Sequence, residues 1–284
     1  MKLKYLGTAA AEGIPGIFCN CPVCKQTRAL GGKNYRSRAQ ALINDDLLLD
    51  FGPDSYWHAC RFDVDLTKIR TLLVTHAHED HYTPAELAYR ENGFGYLNGD
   101  FNDDDSDYPH LNVYLSGNSF AYAPVHFYET QIQKKAPVDF HTVAAFVPFT
   151  AGQYTITPLA ANHAPGFEAL IYSISDGKST LLYAHDTGIF PAETMDYLQA
   201  TRPVFDFISL DCTGMVGSCG SHHMNIRANA VMKQKLTAIG CAHEKTVWCC
   251  NHFSHNGRRT YDTFVPVAAE HGFVVSYDGM EAEF

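Results

Sequence analysis

The chain has 284 residues, 46% of them hydrophobic, which is enough to bury the core of one layered α/β domain. Its formal net charge is −10 and it has no long run of Lys or Arg, whereas a long nucleic-acid partner usually requires a basic stripe. Nine cysteines in a chain of this length do not fit a small disulfide-stapled secreted fold. With neither a signal peptide nor an apolar run of membrane-spanning length, we expect a cytoplasmic protein without a membrane partner.

Short apolar runs rich in Val, Ile, Leu and Tyr predict strands near 3–8, 41–44, 47–52, 71–76, 111–117 and 154–161. The segment 169–186 alternates around Asp176-Gly177 and predicts a β-hairpin. Helical patterns occur at roughly 83–90, 118–134, 191–200, 225–239 and 260–271. Pro84 and Pro191 fit first helical positions, and Asn225 fits a helix cap. Blocks of strands separated by helices predict two sheets with helices outside them.

We expect a single domain over 1–284 with an acidic insertion near 92–109. The stretch "NGDFNDDDSDYP" at 98–109 is rich in turn residues and poor in apolar ones. Such a charge run predicts a solvated surface segment. The alternative is a loop that overhangs the functional site.

The most informative stretch is "TLLVTHAHEDHYTP", in which four metal-binding side chains directly follow an apolar strand. Alternate residues of an extended chain point the same way, so His76 and His78 can share one metal ion. The chain then turns, and Asp80 and His81 can reach a second ion about 3.5–4 Å from the first. Three imidazoles and one carboxylate suit Zn, Mn or Fe better than Mg or Ca.

The H-x-H-x-D-H pattern at a strand end resembles the metallo-β-lactamase superfamily. The resemblance implies a four-layer αββα sandwich with a dinuclear site at one edge. Later ligands are implied at three further strand ends, in "LAANHAP", "LLYAHDTG" and "VWCCNHFSHNG". On that resemblance His76, His78 and His163 would hold one ion, Asp80, His81 and His252 would hold the other, and Asp186 would bridge them.

Two further residues flank this pattern. Asp50, in "LLLDFG", fits a family position whose carboxylate orients the metal-binding loop, and a plain turn Asp is the alternative. His185 departs from the pattern, because relatives carry a small residue before the bridging Asp. It is either a supporting group or a side chain that points away, and we favour the second.

Cys19, Cys21 and Cys24 place three thiols within six residues, one ligand short of a tetrahedral metal site. This C-x-C-x-x-C run resembles the PhnP family, cytoplasmic phosphodiesterases of the carbon–phosphorus lyase pathway. The resemblance implies a closed structural zinc site whose fourth ligand is His255, three residues beyond His252. Such a site would pin the N-terminal loop to the strand end that carries His252.

The resemblance implies a phosphodiesterase that cleaves a small cyclic or diester phosphate, of the ribose cyclic phosphate type, with a metal-bridged hydroxide as nucleophile. It implies two divalent ions, Mn or Zn, beside one structural Zn, and suggests a homodimer. Asp80 would take part in catalysis, and a histidine in "GSHHMNIRANAVMKQ" would be the general acid. The alignment favours His223, with His222 as the alternative. The competing functions are hydrolysis of a lactone, thioester or lactam, and tRNA processing.

Overall fold

The computed structural model describes residues 1–102, 106–121, 131–132, 134–163, 165–166 and 168–284. The strands in these ranges are β1 (Lys2–Gly7), β2 (Gln40–Ile43), β3 (Leu47–Leu49), β4 (Thr71–Leu73), β5 (Leu111–Ser116), β6 (Val138–Val143), β7 (Phe149–Ala151), β8 (Tyr154–Ala160), β9 (Leu170–Ser175), β10 (Thr180–Ala184), β11 (Phe205–Asp211), β12 (Ala242–Asn251), β13 (Val274–Val275) and β14 (Glu281–Glu283). They form two seven-stranded sheets, in the orders β14-β1-β2-β3-β4-β5-β6 and β13-β12-β11-β10-β9-β8-β7.

The helices lie on the outer faces of these sheets. The α-helices whose bounds lie within the described residues are α1 (Pro22–Leu30), α2 (Ser55–Phe62), α3 (Gly117–Ala121), α4 (Ala192–Thr201), α5 (Ile226–Ala238) and α6 (Tyr261–Glu270). Short 3-10 helices cover Gly32–Asn34, Leu66–Lys68, Pro84–Arg90 and His255–Gly257. No helix in these described ranges is long and apolar enough to cross a bilayer.

Three apolar cores formed by described residues hold the layers together. The middle core lies between the two sheets and includes Tyr5, Tyr172 and Phe207. A second core packs α4, α5 and α6 on the outer face of the second sheet, and a third covers the outer face of the first sheet. Because each sheet is apolar on both faces, the layers must stack in the order helix, sheet, sheet, helix. The predicted αββα sandwich is therefore confirmed.

Several local predictions agree with the structure, with differences at the boundaries. Asn225 caps α5 by accepting a hydrogen bond from the N–H of Ala228 at 3.0 Å. Strands β9 and β10 form the predicted antiparallel pair, but the connection spans 176–179, where Asp176 accepts hydrogen bonds from two following N–H groups. The segment that begins at Pro84 is a 3-10 helix, and Pro191 is a cap residue rather than the first helical residue.

The remaining predictions concern the segments before and after β5. Residues 98–102 are exposed, whereas 103–105 lie outside the described residues. The helix predicted at 118–134 is described only as α3 and at 131–132, with 122–130 and 133 outside the described residues. The sequence patterns did not predict α1, α2, β6, β7, β11, β13 or β14.

Parallel pairing brings the candidate residues together. Strands β3 and β4 run parallel, as do β10, β11 and β12, so their carboxyl ends meet at one edge of the sandwich. The residues at or just beyond these ends are Asp50, His76, Asp186, Asp211 and His252. In open α/β sheets, ligands bind at this edge.

Candidate metal centre

The first group of candidate ligands consists of three imidazoles that face one point. The Nε2 atom of His76 lies 2.8 Å from Nδ1 of His78, and Nε2 of His163 lies 3.3 Å from that same Nδ1 atom. The corners of a tetrahedron with Zn–N bonds of about 2.0–2.1 Å are roughly 3.3 Å apart. These separations therefore suit three nitrogens around a single ion.

The second group contains two carboxylates and two imidazoles. His81 Nε2 lies 3.2 Å from Asp80 Oδ2 and 3.1 Å from Asp186 Oδ2. His252 Nε2 lies 3.7 Å from the same oxygen of Asp186. Each of the two groups of four has its ligand atoms within 4.8 Å of one another, and Asp186 belongs to both.

Unsatisfied polar atoms mark the centre as a place for cations. His81 Nε2, His252 Nε2 and Asp186 Oδ1 are buried and make no hydrogen bond within the described part of the chain. Buried polar atoms are almost always paired, because losing water without a partner costs free energy. The donor set of imidazoles and carboxylates fits divalent ions such as Zn or Mn, so the residues present suit the metal ions that the sequence predicted.

The charge states of His76 and Asp186 suit the same role. Burial lowers the pKa of His76 well below its usual value, and neighbouring His81 lowers it further, so His76 is a neutral imidazole. Burial raises the pKa of Asp186, but the nearby His252 and His81 outweigh that effect and hold it well below the usual range. A neutral imidazole and an ionised carboxylate are the forms that bind metal.

The backbone is strained at three positions of this edge. Asp50, Asp186 and His252 have positive φ angles of 64°, 52° and 59°. Such angles are uncommon outside glycine and cluster at functional sites, where the surrounding structure holds them. Asp50 and His252 directly follow β3 and β12, and Asp186 lies two residues beyond β10, so each turn redirects its side chain or the next loop toward the centre.

Asp50 supports the loop that carries the first motif. It accepts hydrogen bonds from the N–H of Thr75 at 2.8 Å and from Nδ1 of His81 at 2.8 Å. The proton of His81 is therefore on Nδ1, which directs the bare Nε2 atom at the candidate ion. A Cβ atom at Gly52 would lie 2.1 Å from the carbonyl oxygen of Asp80, so only glycine lets the two loops approach this closely.

Asp211 contacts two histidines of the site. It was not predicted as a site residue from the sequence. Its Oδ2 atom is 3.2 Å from Nδ1 of His252 and 3.2 Å from Nδ1 of His223. Burial raises the pKa of Asp211, but hydrogen bonds from these two histidines outweigh it and lower the pKa to about 2. Its position at the end of an apolar strand, like that of Asp186 after β10, is the signal that could have identified it.

The two neighbouring candidates for the general acid differ in their placement. His223 lines the cavity above the centre, with Nδ1 3.1 Å from Asp186 Oδ1. Burial lowers the pKa of His223, but Asp211 and Asp186 raise it to about 9, so the ring carries a proton at neutral pH. His222 does not line the cavity, and its carbonyl oxygen lies 3.4 Å from Nδ1 of His163.

His185 points away from the centre. It is buried between the sheets, with Nε2 2.6 Å from Oγ of Ser209 and its ring 3.8 Å from that of Tyr183. Asn251 contacts the other ring nitrogen at 3.1 Å. The ring is thus fixed within the core between the sheets.

The cysteine cluster forms a second, separate candidate metal site. His255 Nδ1 lies 3.6 Å from the Sγ atoms of both Cys19 and Cys21, and Cys24 completes the group. A tetrahedral zinc ion with Zn–S of about 2.3 Å places sulfur and nitrogen ligands roughly 3.6 Å apart. Burial raises the pKa of Cys21, but the N–H of Cys24 and the neighbouring thiols lower it to about 6, which favours the metal-binding thiolate.

A cavity of about 1020 Å³ lies over the metal centre. Its walls include His78, Asp80, Asp186 and His223 from the centre and Cys21 from the cysteine cluster. The two candidate metal sites are therefore parts of one cleft, with the cysteine cluster in its wall. A substrate in this cleft would lie beside both.

Comparison with known proteins agrees with this arrangement. The sequence matches the model of the beta-lactamase superfamily domain over residues 46–245. That span contains the first histidine motif, His163, Asp186 and Asp211, and leaves the cysteine cluster and His252 outside. No curated protein sequence matches the chain significantly.

Three solved structures share the fold along the whole chain. A diphosphatase from the PhnP family is 20% identical with a TM-score of 0.73, covering 100% of this chain and 96% of that one. Zn(2+)-bound PqqB from Methylobacterium extorquens is 15% identical with a TM-score of 0.69, covering 100% of both. Human tRNase Z, short form, is 13% identical with a TM-score of 0.64, covering 100% of this chain and 99% of that one. At these identities the similarity shows the fold alone.

Proposed function

Because the chain belongs to the metallo-β-lactamase superfamily, whose members include metal-dependent hydrolases, we propose that it is a phosphodiesterase acting on a small cyclic or diester phosphate. The observation that carries this proposal is the pair of four-residue groups that share Asp186, with His223 beside them. Two divalent ions bound there would supply a nucleophile from water at neutral pH and neutralise the charge of the phosphate oxygens.

The ligand assignment follows the geometry. His76, His78 and His163 would hold one ion, Asp80, His81 and His252 would hold the other, and Asp186 belongs to both groups of candidate ligands. Asp50 and Asp211 act through these ligands, since each accepts the Nδ1 proton of a histidine and leaves its Nε2 atom free for metal. Apart from the shared Asp186, the first group contains three imidazoles, whereas the second contains two imidazoles and the carboxylate of Asp80, so the second group has the larger number of acidic side chains.

His223 is the proton donor for the leaving group. Its Nδ1 atom faces Asp211 and Asp186, so Nε2 is the nitrogen available to a leaving oxygen in the cavity. Asp211 holds the ring in place and favours its protonated form, as an ionised partner does for a general acid. His222 has no such contact with a carboxylate among the described residues.

Two features support a phosphate ester over other substrates of the superfamily. The fold similarity includes a PhnP-family diphosphatase, a protein named for phosphate chemistry. The cysteine cluster with His255 is the feature by which the sequence resembles that family. We propose that this cluster holds one structural Zn, which would fix the wall of the cleft.

Hydrolysis of bis(p-nitrophenyl) phosphate by the Mn- or Zn-loaded protein tests the proposal. We expect metal-dependent release of nitrophenolate that Asp80→Asn reduces at least 100-fold, with metal content measured for both proteins. A protein that holds its ions, fails on diesters and hydrolyses a lactone, thioester or lactam would contradict the proposal. Cleavage of a precursor tRNA in place of small diesters would assign it to RNA processing.

Three expectations from the sequence remain predictions: a cytoplasmic location, a homodimer and the absence of a nucleic-acid partner. Light scattering of the purified protein would decide the second. Binding of labelled RNA at physiological salt would decide the third, because affinity for a phosphate backbone depends steeply on salt.

A further inference from the structure

The outer face of the first sheet has a cavity of its own, which we call the outer cavity. Its volume of about 280 Å³ is close to the lower end of the range for small-molecule sites, roughly 300–1000 Å³. Most of its walls are aliphatic or aromatic, and they include Leu48 of β3, Leu72 of β4, Leu111 of β5 and Leu87 of the 3-10 helix Pro84–Arg90. The outer cavity shares no described wall residue with the metal cleft. It can therefore take a ligand independently of the metal centre.

The 3-10 helix in the wall is tied to the end of β3. The carbonyl oxygen of Phe51, another wall residue, accepts a hydrogen bond from the N–H of Thr83 at 2.8 Å. The N–H of Phe51 in turn donates to the carbonyl oxygen of His81 at 2.8 Å. These backbone bonds hold the walls in place without a ligand, so the cavity is largely pre-formed, as binding sites for small molecules usually are.

Arg90 lies in the wall of the outer cavity with an incompletely paired guanidinium. The residue is only 9% exposed, and its Nη2 atom donates to the carbonyl oxygen of Pro109 at 2.6 Å. Its Nε atom is buried and makes no hydrogen bond within the described part of the chain. Buried donors are almost always paired, and Arg is seldom buried without a partner. The wall therefore lacks an acceptor for this group.

The charge of Arg90 is uncompensated as well. Burial lowers its pKa, and the nearby Arg70 lowers it further, to about 10, so the guanidinium is still charged at neutral pH. No acidic residue among those described forms an ion pair with it, including Glu86, which is only partly buried in the same wall. A buried cation without a counter-charge costs free energy, and an anion bound beside it would offset that cost.

We propose that the outer cavity binds a small monocarboxylate with an apolar tail, of the kind represented by a medium-chain fatty acid. The carboxylate would accept hydrogen bonds from Arg90, since a guanidinium matches a carboxylate in geometry and charge. The tail would lie against Leu72 and Leu87, where its burial provides most of the binding free energy. The volume of the cavity suits one such molecule, and this site does not depend on the function proposed for the metal centre.

Calorimetry of the full metal-loaded protein with three probes tests the inference. Octanoate has both the charge and the tail, 1-octanol has the tail alone, and acetate has the charge alone. We expect octanoate to bind at least 10-fold more tightly than 1-octanol, as for a hydrogen bond to a charged group, and at least 10-fold more tightly than acetate because of its buried tail. Equal affinity for octanoate and either of the other probes, or no binding of octanoate, overturns the inference.

Substitutions locate the site. Arg90→Met keeps an unbranched side chain without the charge, so it should weaken octanoate binding at least 10-fold and change 1-octanol binding less than twofold. Arg227→Met is the matched control, because Arg227 is exposed on α5 and lines neither cavity. The inference is overturned if the two variants bind octanoate equally well.

A second variant tests the same cavity with Arg90 in place. Leu97 lines the outer cavity and is half-buried, so Leu97→Trp should fill part of the space and weaken both octanoate and 1-octanol at least 10-fold. This variant gives the answer even if Arg90→Met does not fold, and unchanged binding of octanoate by it overturns the inference.

The metal centre is a competing place for a carboxylate. Asp186→Ala, which removes the carboxylate common to both groups of candidate metal ligands, should bind octanoate as tightly as the wild-type protein does. Loss of octanoate binding in Asp186→Ala, with binding retained in Arg90→Met, would assign the carboxylate to the metal ions and overturn the inference. Failure of diester hydrolysis would contradict the proposed function and leave this binding site unaffected.

Discussion

The Nδ1 atom of His252 lies 3.2 Å from Oδ2 of Asp211, and both side chains are buried. A carboxylate in this position accepts the Nδ1 proton and fixes the tautomer whose Nε2 atom is bare. That Nε2 atom faces the carboxylate of Asp186 at 3.7 Å. Asp211, at the end of β11, thus orients His252, which follows β12, toward the candidate metal site.

We predict that Asp211→Asn lowers both metal affinity and activity by roughly 10- to 100-fold, the usual loss for a residue that orients a ligand. The amide has nearly the same shape but lacks the charge that holds His252 and His223. Metal titration followed by diester hydrolysis measures both effects.

The control for that variant is Asp206→Asn on the same strand. Asp206 accepts a hydrogen bond from the N–H of Thr180 at 2.8 Å and belongs to none of the candidate metal groups. It should leave metal affinity unchanged. Equal behaviour of the two variants would show that Asp211 has no special role in orienting the ligands.

Replacing Asp186 should abolish binding of both ions at the metal centre, because its carboxylate belongs to both groups of candidate ligands. We expect three equivalents of metal in the wild-type protein, about one in Asp186→Ala and about two in His163→Ala. Elemental analysis after gel filtration measures these values. His243→Ala, an exposed position outside the groups, should keep all three. Retention of both ions in Asp186→Ala would contradict a shared carboxylate.

The cysteine cluster should contribute stability without binding the catalytic ions. Cys21 caps α1 by accepting from the N–H of Cys24, and serine would preserve that cap. We therefore expect Cys21→Ser to lose one equivalent of metal and several degrees of Tm, because a closed zinc site contributes directly to folding. Calorimetry with metal analysis tests this. Cys60→Ser, at an exposed cysteine, is the control, and an equal Tm for both variants would contradict the prediction.

The loss in kcat caused by His223→Ala should depend on the leaving group. With an alkoxide leaving group, which needs a proton, we expect a loss of about 10²- to 10⁴-fold in kcat, typical of a missing general acid. With p-nitrophenolate, a weakly basic leaving group, the loss should be much smaller. Parallel kinetics on an alkyl and a nitrophenyl ester give the comparison. If His222→Ala shows this pattern and His223→Ala does not, the assignment is wrong.

His58 should make stability dependent on pH between about 4 and 6.5. It is buried against Gln40 and Ser37, at 2.6 and 2.7 Å, and burial lowers its pKa to about 4. The unfolded chain, with a His pKa of about 6.5, then binds more protons across this range, so stability is lost as the pH falls.

We expect His58→Gln to reduce the slope of unfolding free energy against pH by up to about 1.4 kcal/mol per pH unit. Urea unfolding of both proteins is measured at several pH values from 4 to 7, with the same chelator present in every sample. The two slopes of unfolding free energy against pH are then compared. Identical slopes in the two proteins would contradict the burial of a neutral His58.

The candidate metal ligands of the first motif could be predicted from the sequence because their spacing is local. His76 and His78 alternate directly after a strand, so a common direction follows from the extended backbone. His163, Asp186 and His252 each end an apolar run, and the resemblance supplied their order. The strand pattern predicted two sheets with helices outside them, the resemblance implied the αββα sandwich, and the structure confirms that fold. Elements with weaker patterns, such as α2 and the two-residue β13, were missed.

Other features depend on which strands become neighbours. Asp211 and His252 meet because β11 and β12 pair in parallel, and nothing local in "LDCTG" signals this contact. The choice between His222 and His223 depends on a loop orientation that a shift of one residue would reverse.

The types of residue and their short-range spacing thus predict that this protein binds metal, because an ion needs particular donor atoms and these stand at strand ends. The orientation of those donors, the identity of the acid and the far wall of the cleft arise from long-range packing. Loops distant in the chain meet only after the two sheets have stacked, and burial between those sheets then fixes each histidine by its carboxylate partner.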